Sequence, residues 1–297
     1  METNNSRSWI NRDVIGLAIN RFLSDLGHEA GTSILPLFLT AIGAPPFALG
    51  LIEAVSDGLS SFAKLFGGWL GDHVQRLRPW AALGYLATGI TTGLYATAVA
   101  WPGILLTRAI GWAGRGLRSP LHDTLLTEVV PPSARGRAFG FDEAADTLGA
   151  ILGPLFALGL VTVLSRTLTT LDAYRWVFWI AAIPGILAAV SIMILVREKA
   201  RNRDGALTFR GSLNALPAPF RRYLVGIFFF AIGDYANTLL ILRATQVLSP
   251  SLGPEEAGNI AVLLYTLHNV LYAAGSYPVG VLADRLGKKW FLIGAYL

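Results

Sequence analysis

Gly68-Trp69-Leu70-Gly71-Asp72-His73-Val74-Gln75-Arg76-Leu77-Arg78 and, 212 positions later, Gly280-Val281-Leu282-Ala283-Asp284-Arg285-Leu286-Gly287-Lys288-Lys289 are two copies of one pattern. Each closes a long apolar run, opens on glycine, reaches an aspartate four residues on, and ends in basic residues. The same polar signature at the inner end of two hydrophobic segments marks an internal repeat in a polytopic membrane protein. The repeat also aligns the two halves. Sliding the first by 212 residues sets Ser56-Asp57 against His268-Asn269 with no gap before the signatures.

Composition agrees with that reading. The 297 residues are 53% hydrophobic and only 14% charged, against about 25% charged in a soluble domain. The apolar runs are long and the charges gather between them, which excludes a water-soluble core. The net charge of +5 is that of basic cytoplasmic loops rather than of a nucleic-acid surface. With no cysteine there is no disulfide and no thiolate metal site. The first apolar run is too long for a signal peptide and is interrupted by Asp25, His28 and Glu29, so it stays as a first membrane helix.

A spanning helix needs roughly 20 mainly apolar residues. Eight such spans are expected, at 13–40, 46–71, 79–98, 102–127, 137–163, 174–196, 220–248 and 256–283, with a ninth beginning near Lys289. Pro36, Pro45, Pro46, Pro102, Pro131, Pro132 and Pro254 fall at or near their boundaries, where a missing N–H does least harm. Alternating the spans puts most of the 24 Lys and Arg on one side, with Arg166 and Arg175 opposite, and so predicts a cytoplasmic N-terminus. The longest polar interval, Arg197 to Arg222, reads as a basic cytoplasmic linker. The expected organisation is a six-helix bundle over 1–196, a linker over 197–219 and a partial second bundle over 220–297.

Several ionisable residues fall inside these spans. Each costs about 2.5–3.5 kcal/mol or more at mid-membrane unless it faces the bundle interior and finds a partner. Span one carries Arg21, Asp25, His28, Glu29 and Thr32 as one helical stripe, and span two carries Glu53, Asp57, Ser60 and Lys64. Span four adds Arg108, Arg115, Arg118 and His122; span five adds Asp142, Glu143 and Asp146. Stripes that bring Asp25, His28, Glu29, Asp57 and Arg115 to one depth predict a water-filled central cavity. His28 there is either a proton relay or a fixed hydrogen-bonding side chain. The zinc-hydrolase pattern that His28-Glu29 begins is not completed, because Thr32 stands where the second His belongs. The run Gly111 to Gly116 lies in an apolar helix and follows no strand, so it serves close helix packing rather than phosphate binding. No catalytic constellation, metal site or cofactor site is legible.

The second signature, Gly280 to Lys289, matches almost letter for letter the loop of the major facilitator superfamily of secondary transporters. The first resembles it, with Gln75 and Leu77 as departures. The resemblance implies an all-α fold of two six-helix bundles, complete in the first half and partial here in the second, the chain being C-terminally truncated. It implies that Gly68, Asp72 and Arg76, with Asp123 or Glu128, and Gly280, Asp284, Arg285 and Lys288 form cytoplasmic latches. Gly140, Gly149, Gly153 and Pro154 resemble the family's antiporter signature, with Ala157 and Leu158 where two glycines belong; their other reading is plain close packing. Arg108 resembles the span-four arginine that the family associates with proton transfer, and Arg115 is its rival.

The expected activity is transport of a small solute by alternating access, proton-coupled and outward, by a non-enzymatic monomer in the bacterial inner membrane. The proton and solute residues expected are Asp25, His28, Glu29, Asp57, Arg108, Arg115, Asp142, Asp146 and Asn269, with Asp57 and Asn269 facing one another across the cavity. Alternatives are a uniporter or proton-symport uptake carrier, a non-transporting receptor of the same fold and, remotely, a lipid enzyme.

Overall fold

The computed structural model describes residues 9–198, 208–214, 216–231 and 236–286, with backbone alone at 213–214, 227–231 and 276–286. Among them there are ten α-helices and no strand: α1 (Arg12–Ala41), α2 (Pro46–His73), α3 (Arg78–Leu94), α4 (Trp101–Val129), α5 (Arg135–Leu164), α6 (Thr170–Leu195), α7 (Phe209–Asn214), α8 (Ala218–Ala231), α9 (Asn237–Leu252) and α10 (Pro254–Leu286). The first six coincide with the first six expected spans.

Local chemistry explains their starts. The Asn11 side chain accepts the N–H groups of Asp13 and Val14 and caps α1, and the Thr169 hydroxyl accepts from Asp172 N at α6. Prolines open α2, α3 and α4, where the N–H they lack would be unused. Pro36, by contrast, lies inside α1, and Pro120, Pro154 and Pro184 lie inside α4, α5 and α6. The Thr40 and Thr124 hydroxyls donate to the carbonyls of Pro36 (2.9 Å) and Pro120 (2.7 Å), the i−4 back-bond usual for threonine in a helix.

Expected span seven, 220–248, is not one helix. α8 ends at Ala231 and α9 begins at Asn237, preceded by Ala236 in an extended conformation (φ −70°, ψ 136°). The linker also holds more structure than a solvated loop. α7 sets Phe209 edge-on to Phe66 and Trp69 of α2, at 6.5 and 6.1 Å between ring centres.

α1 packs on α5 and α6, α2 on α4, and α3 on α4 and α6; α9 packs on α10, which also meets α5. Two apolar clusters result. One, at the end of the bundle remote from the N-terminus and labelled outer for that position alone, gathers Ile34, Phe38, Leu49, Ile104, Val177 and Phe178 and extends to Val262 of α10 and Leu242 of α9, so these ends of the two halves pack together. The inner one gathers Val14, Leu17, Tyr85, Leu121, Leu125 and Ile192. Leu106, Ile183 and Ile194 stand exposed around the outside, as a lipid-facing surface requires. Among the described residues only two helical segments, Pro132–Leu164 and Thr170–Leu195, are apolar enough to cross a membrane on hydropathy alone. α1, α2 and α4 carry charged residues in their interiors, and these meet Asp142 and Asp146 of α5 between the two apolar clusters.

Candidate functional site

The layer between the clusters has three levels. Nearest the outer side, Arg108 of α4 makes a fork on Glu53 of α2, with Nη2 at 2.8 and 2.9 Å from the two carboxylate oxygens and Nε at 3.3 Å. Arg108 is 1% exposed. The Thr238 hydroxyl of α9 donates to the same Glu53 carboxylate at 2.8 Å. A bidentate guanidinium–carboxylate pair is the strong form of this contact, and here it ties α4, α2 and α9 together.

At mid-depth, Arg115 faces Asp25 of α1, with Nη1 3.1 Å from Oδ1 and Nη2 3.3 Å from Oδ2. Asp146 of α5 lines the same cavity as Asp25. One turn along α1, Glu29 accepts from the Tyr265 hydroxyl of α10 at 2.8 Å. The Asn269 amide donates to the Ala150 carbonyl of α5 at 2.9 Å. These side chains line a cavity of about 370 Å³ between the two halves. His28 is buried beside it, 3.5 Å from the Thr32 hydroxyl and edge-on to Trp112.

On the inner side, Arg21 of α1 bonds Asp146 at 2.6 Å and lies within 3.9 Å of Asp142 and 3.8 Å of Glu143. His122 of α4 joins Asp142 (3.0 Å) to the Tyr85 hydroxyl (2.8 Å). With the carboxylate accepting at Nε2, Nδ1 accepts from tyrosine. A second cavity, of about 180 Å³, opens here between α1, α2 and α4.

Of the expected site residues, Asp25, Glu29, Arg115, Asp146 and Asn269 meet in the larger cavity. Arg108, Asp142 and His28 do not line it: Arg108 pairs with Glu53, Asp142 with His122, and His28 packs on Thr32 and Trp112. Asp57 does not join them. The buried face of α2 is centred on Glu53, Ser56 and Ser60, and Asp57 stands at its exposed edge. Asp57 and Asn269 therefore do not face one another: Asn269 packs against α5 and Asp57 lies on the exposed side of α2.

Asp72 and Arg76 of the expected gate are exposed. Beside them Glu198 accepts the N–H groups of Leu77 and Arg78, while Arg78 Nη1 donates to Val196 O at 2.8 Å. Gly280, Asp284 and Arg285 fall in the last turns of α10, where the backbone alone is described; Lys288 lies outside the described residues. Gly68 faces open space, whereas a Cβ at its neighbour Gly67 would stand 2.5 Å from the Leu117 carbonyl of α4. Gly67→Ala is accordingly expected to cost about 1–3 kcal/mol by overpacking. Gly68→Ala should be neutral or gain up to about 1 kcal/mol of helix propensity. Thermal unfolding of the two variants in detergent checks the order.

Four participants escaped the sequence reading: Tyr265, Thr238 and Tyr85, and Glu53 as the partner of Arg108. Their neutral hydroxyls carry no signal in an apolar run, and only the pairing of helices shows which charge they serve. Among the described residues no group of His, Asp and Glu is arranged to hold a metal ion.

Comparison with known proteins follows the fold. A family model described as the Major Facilitator Superfamily matches residues 17–297. An uncharacterized MFS-type transporter of Methanocaldococcus jannaschii is 27% identical over 296 residues, covering 100% of this chain and 72% of that protein. The quinolone resistance protein NorA of Staphylococcus aureus is 25% identical over 189 residues, covering 64% of this chain and 46% of that protein. A solved bacterial homologue of the human lysosomal transporter Spinster, inward-facing and unoccupied, superposes with a TM-score of 0.71 at 17% identity, covering 96% of this chain and 64% of that one. The chain thus spans between about half and three-quarters of the length of the curated relatives named here.

Proposed function

This chain belongs to the major facilitator superfamily and is an integral membrane protein; on that premise we propose that it moves a small solute by alternating access, coupled to protons and directed outward. The reading places the N-terminus in the cytoplasm of an inner membrane and divides the chain into a first bundle, α1–α6, and the beginning of a second, α8–α10.

One observation carries the coupling: the hydrogen bond from Tyr265 of α10 to Glu29 of α1. It makes a mid-membrane carboxyl a polar contact between the halves, inside the larger cavity. Protonating that carboxyl weakens what it accepts and removes a charge from the interface, so a proton biases the equilibrium between the two arrangements that alternate. Asp25 and Asp146 beside it support the same reading. Both line the same cavity, and each has an arginine to release or engage, Arg115 for Asp25 and Arg21 for Asp146.

Outward direction is supported by Gly149, Gly153 and Pro154, which match the antiporter signature where α5 meets α1, and by the similarity to a quinolone resistance protein. A second reading, proton symport, is favoured by the cationic lining of the inner cavity, where Lys64, Arg115 and Arg118 face Asp25.

The test is transport in liposomes with an imposed pH gradient, screened over drugs, sugars and organic acids with an internal pH dye. Flux of at least one solute should follow the gradient. Glu29→Gln keeps the hydrogen-bond acceptor but cannot take a proton. It should reduce gradient-driven flux to the level of empty liposomes while leaving solute exchange without a gradient measurable. A flux in Glu29→Gln that still follows the gradient would remove Glu29 from the coupling.

A further inference from the structure

The inner cavity between α1, α2 and α4 contains more hydrogen-bond donors than the protein uses. It is lined by Arg21, Asp25, Ser60, Lys64, Trp112, Arg115, Arg118 and Ser119. Arg118 is 3% exposed, yet its Nε has no hydrogen-bond partner among the described residues. The guanidinium lies over the Tyr85 ring at 3.9 Å, which holds its plane in place. The buried Ser60 hydroxyl and the Trp112 indole N–H are likewise without partners. A buried donor normally has a partner, and each exception needs a reason. Three exceptions around one small cavity have a common one.

Charge points the same way. Arg21 is matched by the α5 carboxylates. Of the remaining lining residues, Lys64, Arg115 and Arg118 face the single carboxylate of Asp25. Even that pair is imperfect. Arg115 Nη1 and Asp25 Oδ1 are 3.1 Å apart, but neither atom makes an aligned hydrogen bond. Arg118 is the buried cation of this lining for which no ion pair is seen among the described residues, and a charge in a low-dielectric layer is costly unless an anion accompanies it.

We propose that this cavity is a binding subsite for the anionic group, a carboxylate or a phosphate, of a small solute. Arg118, Lys64, Ser60 and Trp112 supply the donors, and Asp25 is the internal anion that a ligand displaces from Arg115. At about 180 Å³ the cavity takes a headgroup with at most a small ring against Trp112. The inference rests on the reading of the chain as a solute carrier and deepens the symport alternative. A proton on Asp25 frees Arg115 for the ligand, so solute and proton bind together.

The test is equilibrium binding to the detergent-solubilised chain by titration calorimetry, with no gradient present. Failure of proton coupling then leaves the result standing, and absence of anion binding leaves coupling untouched. The probes are phenyl phosphate and benzoate against benzylammonium and benzyl alcohol. At least one anionic probe should saturate a single site per chain; which of the two binds tighter identifies the headgroup. The cation and the alcohol should show no saturable heat. Lys64→Gln, on the exposed face of α2 and so sparing the fold, should weaken anion binding about tenfold. Arg118→Gln, checked for folding by gel filtration, should abolish it. Equal or tighter binding of benzylammonium or benzyl alcohol, or unaltered anion binding in both variants, would overturn the proposal.

Discussion

Glu53→Gln is expected to destabilise the protein by about 3–5 kcal/mol, the cost of leaving a buried ion without its counter-ion. Arg108 cannot relieve the loss, because a guanidinium keeps its proton in proteins, and at 1% exposure it has no route to water. Its Nη1 is already without a hydrogen-bond partner among the described residues, so little spare bonding exists to absorb the change. The reverse variant, Arg108→Gln, should cost less. A stranded carboxyl can neutralise itself by taking up a proton, and the Thr238 hydroxyl still donates to it. Replacing both partners together, as Glu53→Met with Arg108→Met, should recover most of the loss, since the double variant leaves no unpaired charge and fills a similar volume. Thermal unfolding of the three variants in one detergent gives the order. Equal stability of Glu53→Gln and the unaltered chain would mean that the pair is solvated and that the outer cluster does not close over it.

The pair also shows what was legible in the sequence and what was not. Helical period put Glu53 and Arg108 on the polar faces of spans two and four, and the cost of a charge in lipid required both to point inward. That argument works within one helix. Choosing a partner requires the rotation and depth of two helices together, and the sequence reading therefore took Arg108 for a proton-transfer residue and left Glu53 out of the site. The same gap misplaced Asp57. The 212-residue alignment sets α2 against α10, but equivalence by repeat is not proximity. α10 packs on α5, bringing Asn269 to the Ala150 carbonyl, while α2 packs on α4 and leaves Asp57 at the edge. Span boundaries were readable because hydropathy and proline act locally. The interruption before Asn237 was passed over: no proline marks it, and Gly233, Asp234 and Asn237, which do favour a break, sit inside a long apolar run.

A packing effect that also reaches the polar layer is expected at Gly149 and Gly153, where α5 crosses α1. A Cβ on Gly149 would stand 2.9 Å from both the Leu26 nitrogen and the Phe22 carbonyl; one on Gly153 would stand 2.8 Å from Glu29 Cβ and 2.9 Å from Ala30 N. Most of these opponents are backbone atoms, which cannot swing aside as a flexible side chain would. Each glycine-to-alanine change should therefore cost about 1–3 kcal/mol, and glycine-to-valine more, because the two helices must separate. The pair should be sub-additive: once the first methyl has pushed α1 outward, the second finds part of its space already made. The separation also reaches the polar layer, since Asp25 and Glu29 lie on the α1 turns that these glycines face. Loss of gradient-driven flux should thus exceed what the loss of folded protein explains. Gly140 is the internal control. It belongs to the same signature but has nothing within 4 Å of its would-be Cβ, so Gly140→Ala should be neutral or gain up to about 1 kcal/mol through helix propensity. If the signature acted only as a bending device, all three substitutions would stiffen α5 and affect flux alike. If it acts through contact, Gly149 and Gly153 should fail together while Gly140 does not. Unfolding temperature and flux measured on the same three preparations separate the two accounts.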